Sequence, residues 1–156
     1  MNTKNLLRVV AIFVITALSL TFFSACEEKE DVNTKTNAKS NPLVNTEWKL
    51  IHFVDVMNNI TTNPTPFDSN SYSLKFINDT LLRGYSSTNT FNGNYTINLQ
   101  DSSIHIENLQ GTEINELYDG NLFVHSIQNV RYFSIESNIL NLYYNNNQNY
   151  LKFERR

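Results

Sequence analysis

The chain has 156 residues, with 12 lysines and arginines against 15 aspartates and glutamates. That length allows one ordinary domain behind a leader and is too short for two. The formal charge of −3 disfavours nucleic acid as a partner, because phosphate binding demands a basic face.

The opening joins a short basic start, Lys4 and Arg8, to an apolar run over residues 9–23 that only Thr16, Ser19 and Thr21 interrupt. A helix that crosses a bilayer needs ~20 apolar residues, whereas the core of a secretory signal needs about 7 to 15. Length therefore predicts a signal peptide over residues 1–25 that is removed, rather than a retained anchor. Ser24 and Ala25, both small, stand directly before Cys26, the chain's only cysteine. Phe23-Ser24-Ala25-Cys26 resembles the bacterial lipobox, with Phe where Leu is usual. Cys26 is accordingly expected to carry lipid and tie the chain to a membrane. Each buried methylene contributes ~0.8 kcal/mol, so two or three acyl chains anchor stably. With no second cysteine, Cys26 has no disulfide partner within the chain.

Residues 26–42 read as the lipidated cysteine and a flexible tether. Glu27, Glu28, Lys29, Glu30 and Asp31 lead into a polar stretch in which Val32 and Ala38 are the apolar members before residue 42, too few to offset the entropy of ordering. The acidic run resembles the signal that sends lipoproteins of Bacteroidetes-type bacteria to the outer face of the outer membrane; a solvated linker is the alternative. The expected location is the cell envelope, at the outer membrane, on its periplasmic or its surface face. Without residues 1–25 the chain keeps 10 basic and 15 acidic side chains.

In residues 43–156 the dominant signal is alternation with period two, the mark of half-buried strands. Trp48, Leu50 and His52 fall on one face of a first strand, with Ile51 and Phe53 on the other. Tyr72, Leu74 and Phe76 alternate next, and the Asn78-Asp79 turn returns the chain to Leu81 and Leu82. Phe91-Asn92-Gly93-Asn94 carries a turn signal, since Asn-Gly readily takes positive φ. Tyr95, Ile97 and Leu99 alternate after it, and Ile104 and Ile106 follow an Asp101-Ser102 turn. The period then changes: Phe123, Ile127 and Val130 fall on one helix face, with Asp119 placed to cap its start. Strands resume at Tyr132, Phe133 and Ile135, continue over residues 139–144, and end with Tyr150, Leu151 and Phe153. Many short antiparallel strands with one helix predict a mostly β fold: a small antiparallel β-barrel or strongly curved sheet, with the helix packed over an opening or edge.

The order of these residues resembles the META/HslJ-like domain of bacterial envelope lipoproteins over about residues 43–154. That family opens on a Trp-Lys-Leu strand, matched by Trp48, Lys49 and Leu50. Its signature of Gly-Cys-Asn followed by an aromatic, Gly and Tyr is matched at Asn89, Phe91, Gly93 and Tyr95, and a later Thr at Thr112. Thr88 and Glu116 stand where two family cysteines are expected, and their joint replacement implies that the two positions are paired in the family. The resemblance implies a lipocalin-like antiparallel architecture and a link to stress tolerance and envelope integrity, with no shared reaction. The matched residues have a structural reading, with Gly93 shaping a turn, Phe91 and Tyr95 filling a curved core and the Asn89 amide satisfying main-chain groups at a bend. The alternative is that this bend rims a binding mouth.

No catalytic constellation is legible. His52, His105 and His125 lack ligand-type spacing, and neither a nucleophile elbow nor a phosphate loop occurs. Glu113 and Glu116 could serve acid-base chemistry, but solvated charge is the plainer reading. No metal or cofactor is expected, and the chain is read as non-enzymatic. Asp79-Thr80-Leu81 resembles a short O-glycosylation acceptor, or Thr80 is simply a turn residue. The 25 asparagines, including Asn145, Asn146, Asn147 and Asn149, are read as codon usage acting where turns tolerate Asn. Three roles follow: an envelope interaction protein, a barrel that holds a small apolar ligand among its aromatics, or an inhibitor or accessory of an exported enzyme.

Overall fold

The computed structural model describes residues 40–156. The signal, Cys26 and all but the last residues of the tether lie outside them. Among the described residues no helix is long and apolar enough to cross a membrane.

Among the described residues nine strands and one helix follow in order: β1 (Thr46–Asp55), β2 (Ile60–Thr62), β3 (Ser73–Phe76), β4 (Leu81–Tyr85), β5 (Thr90–Asn98), β6 (Ser103–Gly111), α1 (Gly120–Gln128), β7 (Tyr132–Glu136), β8 (Ile139–Tyr144) and β9 (Asn149–Arg155). All pairings are antiparallel, and from β3 to β9 each strand neighbours the next. β1 lies between β3 and β9 and closes the sheet into a ring, while β2 extends it beside the end of β1. The ring is not a regular barrel, because β6 meets β7 through one ladder pair, Ser103 with Tyr132. The expected mostly β fold with one packed helix is therefore the observed one.

The interior is filled by side chains. Trp48, Leu50, Leu74, Phe76, Tyr95, Leu140, Leu142, Leu151 and Phe153 have no solvent exposure. α1 completes this core at the thin seam, inserting Phe123 and Ile127. The Phe123 ring lies 5.4 Å from that of Tyr72, 6.2 Å from that of Phe91 and 6.3 Å from that of Phe153. Burying a side chain of this size contributes ~1.5–3 kcal/mol, and here the same ring joins the helix to three parts of the ring of strands.

Three sequence expectations are corrected. In β1 the register against β9 shifts between Leu50 and His52, so Ile51 is an extra residue. A bulge of this kind reverses the alternation beyond it. Phe53 consequently joins Trp48 and Leu50 in the core, and His52 leaves that face. Second, Asn92-Gly93 is not a turn but lies inside β5, and no glycine in the described residues has positive φ. Gly93 is instead opposite a register shift in β6, where a Cβ would meet the Leu109 side chain and sit 3.1 Å from the Glu107 carbonyl oxygen. Absence of a side chain, not turn geometry, is what the position requires. Third, Asp119 precedes α1 but makes no side-chain cap; its carboxylate accepts the Thr65 N–H at 2.7 Å.

Tyr72, expected within a strand, precedes β3 at φ 55, fully buried. Its N–H donates to the Ser86 carbonyl, and its own carbonyl accepts from the Leu50 N–H. The other turns are as expected. Asn78 Oδ1 accepts from the N–H groups of Thr80 and Leu81, both at 2.9 Å, and the exposed Thr80 is part of that turn. Asn145, Asn146 and Asn147 take φ of 50, 52 and 63, a conformation Asn adopts more easily than most residues.

Candidate functional site

The residues singled out in the sequence separate into two groups. Trp48 and Tyr95 are core posts with polar tips. Trp48 Nε1 donates to Thr46 Oγ1 at 2.7 Å, the Thr46 hydroxyl donates to the Leu43 carbonyl, and the Arg155 guanidinium lies 4.8 Å over the indole. Tyr95 donates to the Asn78 carbonyl, accepts from Asn41 and packs edge-on against Phe76 at 4.9 Å. Burial raises its pKa, only partly opposed by the Asn41 amide.

Asn89, Thr112, Thr88 and Glu116 form the second group, brought together where the bend between β4 and β5 meets the loop from β6 to α1. Asn89 is buried and uses both ends of its amide. Its Oδ1 accepts from Thr112 Oγ1 at 2.6 Å and from the Ile114 N–H at 3.0 Å, and its Nδ2 donates to the Ile114 carbonyl at 2.6 Å and to Glu116 Oε1 at 2.8 Å. Ser86 donates to the same Glu116 oxygen, while Ser87 at 2.7 Å and Thr88 at 3.1 Å reach Oε2. Thr88 and Glu116, the two positions where the family resemblance places cysteines, are thus in direct contact.

Glu116 is not the solvated charge read from the sequence. Desolvation raises its pKa, but the four donors outweigh it and hold the carboxyl below the usual range. Gly120 opens α1 against this group: a Cβ there would collide with the Glu116 carboxylate and the Ser87 hydroxyl. Tyr72 lies behind, donating to the Thr65 carbonyl, its pKa pushed up to about 12 by burial and then by the Asp119 charge. Glu113, the other carboxylate considered, is exposed.

A carboxylate that accepts four hydrogen bonds and whose pKa is lowered is a weak base and a strong clasp. What the arrangement does chemically is fasten residues 112–116 across the strand bend. The clasp residues Asn89, Thr112 and Glu116 form part of the wall of a groove of about 380 Å³ between β6 and α1, which Leu109, Asn121, Val124 and His125 also line. The three histidines do not converge: His52 belongs to β1, His105 faces Glu107 at 3.6 Å, and His125 bonds Asn129. Among the described residues no three metal-ligating side chains cluster. Sequence reasoning missed Ser86 and Ser87 as clasp members and the groove beside them. The run of small polar residues at 86–89 is a signal for a bend, but nothing local ties it to a carboxylate some thirty residues on.

No protein-family model and no curated protein matches the chain. Its fold is similar to the NMR structure of a protein from Burkholderia xenovorans, with a TM-score of 0.60 and 18% identity, covering 73% of this chain and 83% of that one. It is also similar to the crystal structure of a DUF4847 family protein from Bacteroides vulgatus, with a TM-score of 0.55 and 15% identity, covering 72% and 94%. At these identities the likeness is one of fold.

Proposed function

We propose that this chain is a membrane-anchored envelope lipoprotein with a META-like domain. It works without catalysis, supporting envelope integrity under stress by contacting another envelope component. The observation that carries the reading is the contact between Thr88 and Glu116, at 3.1 Å. Two positions tied together only by the family pattern meet in space, and Asn89 and Thr112 of the same pattern bond to each other beside them. The lipobox resemblance at Cys26 supplies the anchor. A ligand held inside the ring has less support, because Phe123 and the buried side chains around it occupy the interior.

Crosslinking and affinity purification from intact membranes, comparing the wild type with Cys26→Ala, test the reading. The wild type is expected to sediment with the outer membrane, incorporate labelled fatty acid and retain a defined partner set. Cys26→Ala is expected to lose all three. Equal partner sets from both forms would show that anchoring is not how the protein works.

A further inference from the structure

Two clefts adjoin where β7 begins. One, of about 410 Å³, is walled by Asn98, Ser103, His105, Arg131 and Tyr132, with Asn146 and Asn147 of the turn between β8 and β9 opposite. The other, of about 490 Å³, passes His125 and Asn129 at the end of α1 to Tyr144 and Asn145. Arg131 and Asn146 line both. Neither lining contains an aspartate or glutamate, and five of its fourteen residues are asparagines, more than twice their share of the chain. Codon usage accounts for asparagines scattered over turns, but not for this convergence on the one lysine or arginine within residues 84–151.

The turn itself is unusual. Left-handed backbone is ordinarily visited by single residues, yet Asn145, Asn146 and Asn147 adopt it in succession. Their conformation is fixed by Gln148, whose N–H donates to the Asn145 carbonyl at 3.0 Å and whose carbonyl accepts from Val56 at 2.8 Å. Asn145 also donates to Asn149 at 2.9 Å. The exposed amides of Asn146 and Asn147 are thereby set on the cleft wall. Across from them Tyr132 is 43% exposed and begins a row of tyrosines on the outward side of the sheet. Tyr143 is its partner on β8 and Tyr150 the next on β9, with the last two rings 5.2 Å apart. Neighbouring strands lie ~4.8 Å apart, so the row offers aromatic surface over about two such spacings.

This combination selects a ligand class. A sugar ring has an apolar face of C–H bonds, which an aromatic ring covers, and a rim of hydroxyls that each donate and accept. A primary amide holds a donor and an acceptor in one plane and answers that rim, and the arginine fork adds planar donors. A peptide would need an apolar anchor pocket, whereas the aliphatic residues of the lining are Ile97, half-buried, and Ile104, 2% exposed. A polyanion would need several cations.

We propose that the paired clefts bind a carbohydrate chain, with sugar rings stacked on Tyr132 and hydroxyls bonded by Asn98, Asn146, Asn147 and Arg131. The proposal rests on the interaction reading above and names the chemical class of the envelope component contacted.

The test titrates the detergent-solubilised, ¹⁵N-labelled full chain with cellopentaose, chitopentaose and pentagalacturonate, each to about 10 mM. At least one is expected to give saturable shifts confined to the amides of residues 96–105, 129–132 and 143–150, the Asn side chains included. Asn146→Gly with Asn147→Gly removes both amides while keeping a backbone that tolerates positive φ. It is expected to weaken binding about tenfold or more without lowering the urea midpoint, and Tyr132→Ala to weaken it similarly. No saturable shift with any of the three sugars, shifts elsewhere, or unchanged affinity in both variants would overturn the proposal. So would the same shifts from sodium acetate or inorganic phosphate alone, which would make Arg131 a general anion contact. If the sugars fail while Cys26→Ala still loses the membrane partners, the clefts are refuted and the interaction reading stands. Sugar binding alongside equal partner sets from wild type and Cys26→Ala refutes the anchored reading and supports the clefts.

Discussion

Replacing Glu116 by Ala removes the acceptor for four side-chain donors, those of Ser86, Ser87, Thr88 and Asn89. Hydrogen bonds to a charged group contribute about 1.5–3 kcal/mol each in isolation. The clasp is partly exposed, so water takes over some donors in the variant, and the net cost is set at about 2–3 kcal/mol. For a domain of this size that lowers Tm by roughly 8–15 °C. Glu116→Gln keeps the shape but turns an NH₂ toward hydroxyl donors, and is expected to cost about half as much. Urea unfolding followed by the fluorescence of Trp48, the single tryptophan and fully buried, measures both. The pH dependence adds a sign. Because the folded pKa lies below the ordinary value, the stabilisation is present above the carboxylate's unfolded pKa and disappears as pH falls through the folded one. The gap between wild type and Glu116→Gln should therefore be constant from pH 5 to 7 and close below about pH 4. A cost for Glu116→Ala under about 0.5 kcal/mol, within the range of ordinary surface substitutions, would refute the reasoning.

Thr88→Cys with Glu116→Cys, on a Cys26→Ala background, should form a disulfide under mild oxidation. Closing that loop restores about 3–4 kcal/mol against loss of the clasp, so oxidised and reduced forms should differ in unfolding free energy by that much in urea titrations; persistence of two free thiols would contradict the contact. Phe123→Ala should cost about 3–5 kcal/mol in the same unfolding assay, since the ring packs against three others in a filled interior. Tyr72, with a raised pKa of about 12, makes the protein lose stability as pH climbs from about 10 through 12, because the unfolded chain releases that proton first. Absorbance titration near 295 nm should show a late-titrating tyrosine that Tyr72→Phe removes.

How much of this was legible in the sequence depended on the range of the interaction involved. Period-two runs such as Leu74 and Phe76 or Ile104 and Ile106 marked strands, and the spacing of Phe123 and Ile127 marked the helix, because neighbours along the chain decide which face is apolar. The Asn78 and Asp101 turns were local in the same way. Asn92-Gly93 misled because a turn signal states what the backbone tolerates, whereas Leu109 and Glu107 on the next strand decided why Gly93 has no side chain. The reversal of His52 and Phe53 likewise came from the register with β9.

The candidate site shows the same division. Asn89, Thr88 and Thr112 were named from a pattern of residues, but the clasp on Glu116 exists only once the strand bend and the loop before α1 are in place. By itself, the sequence determined the mostly β class, the one helix, the acidic balance and the lipobox resemblance at Cys26, all carried by composition or by spacing of a few residues. Only the tertiary structure decided the closure of the ring through β1 and β9, the filled interior, the clasp on the Glu116 carboxylate and the thin β6–β7 seam that α1 covers. Each of these depends on contacts between residues far apart in the chain, whose geometry no local spacing encodes.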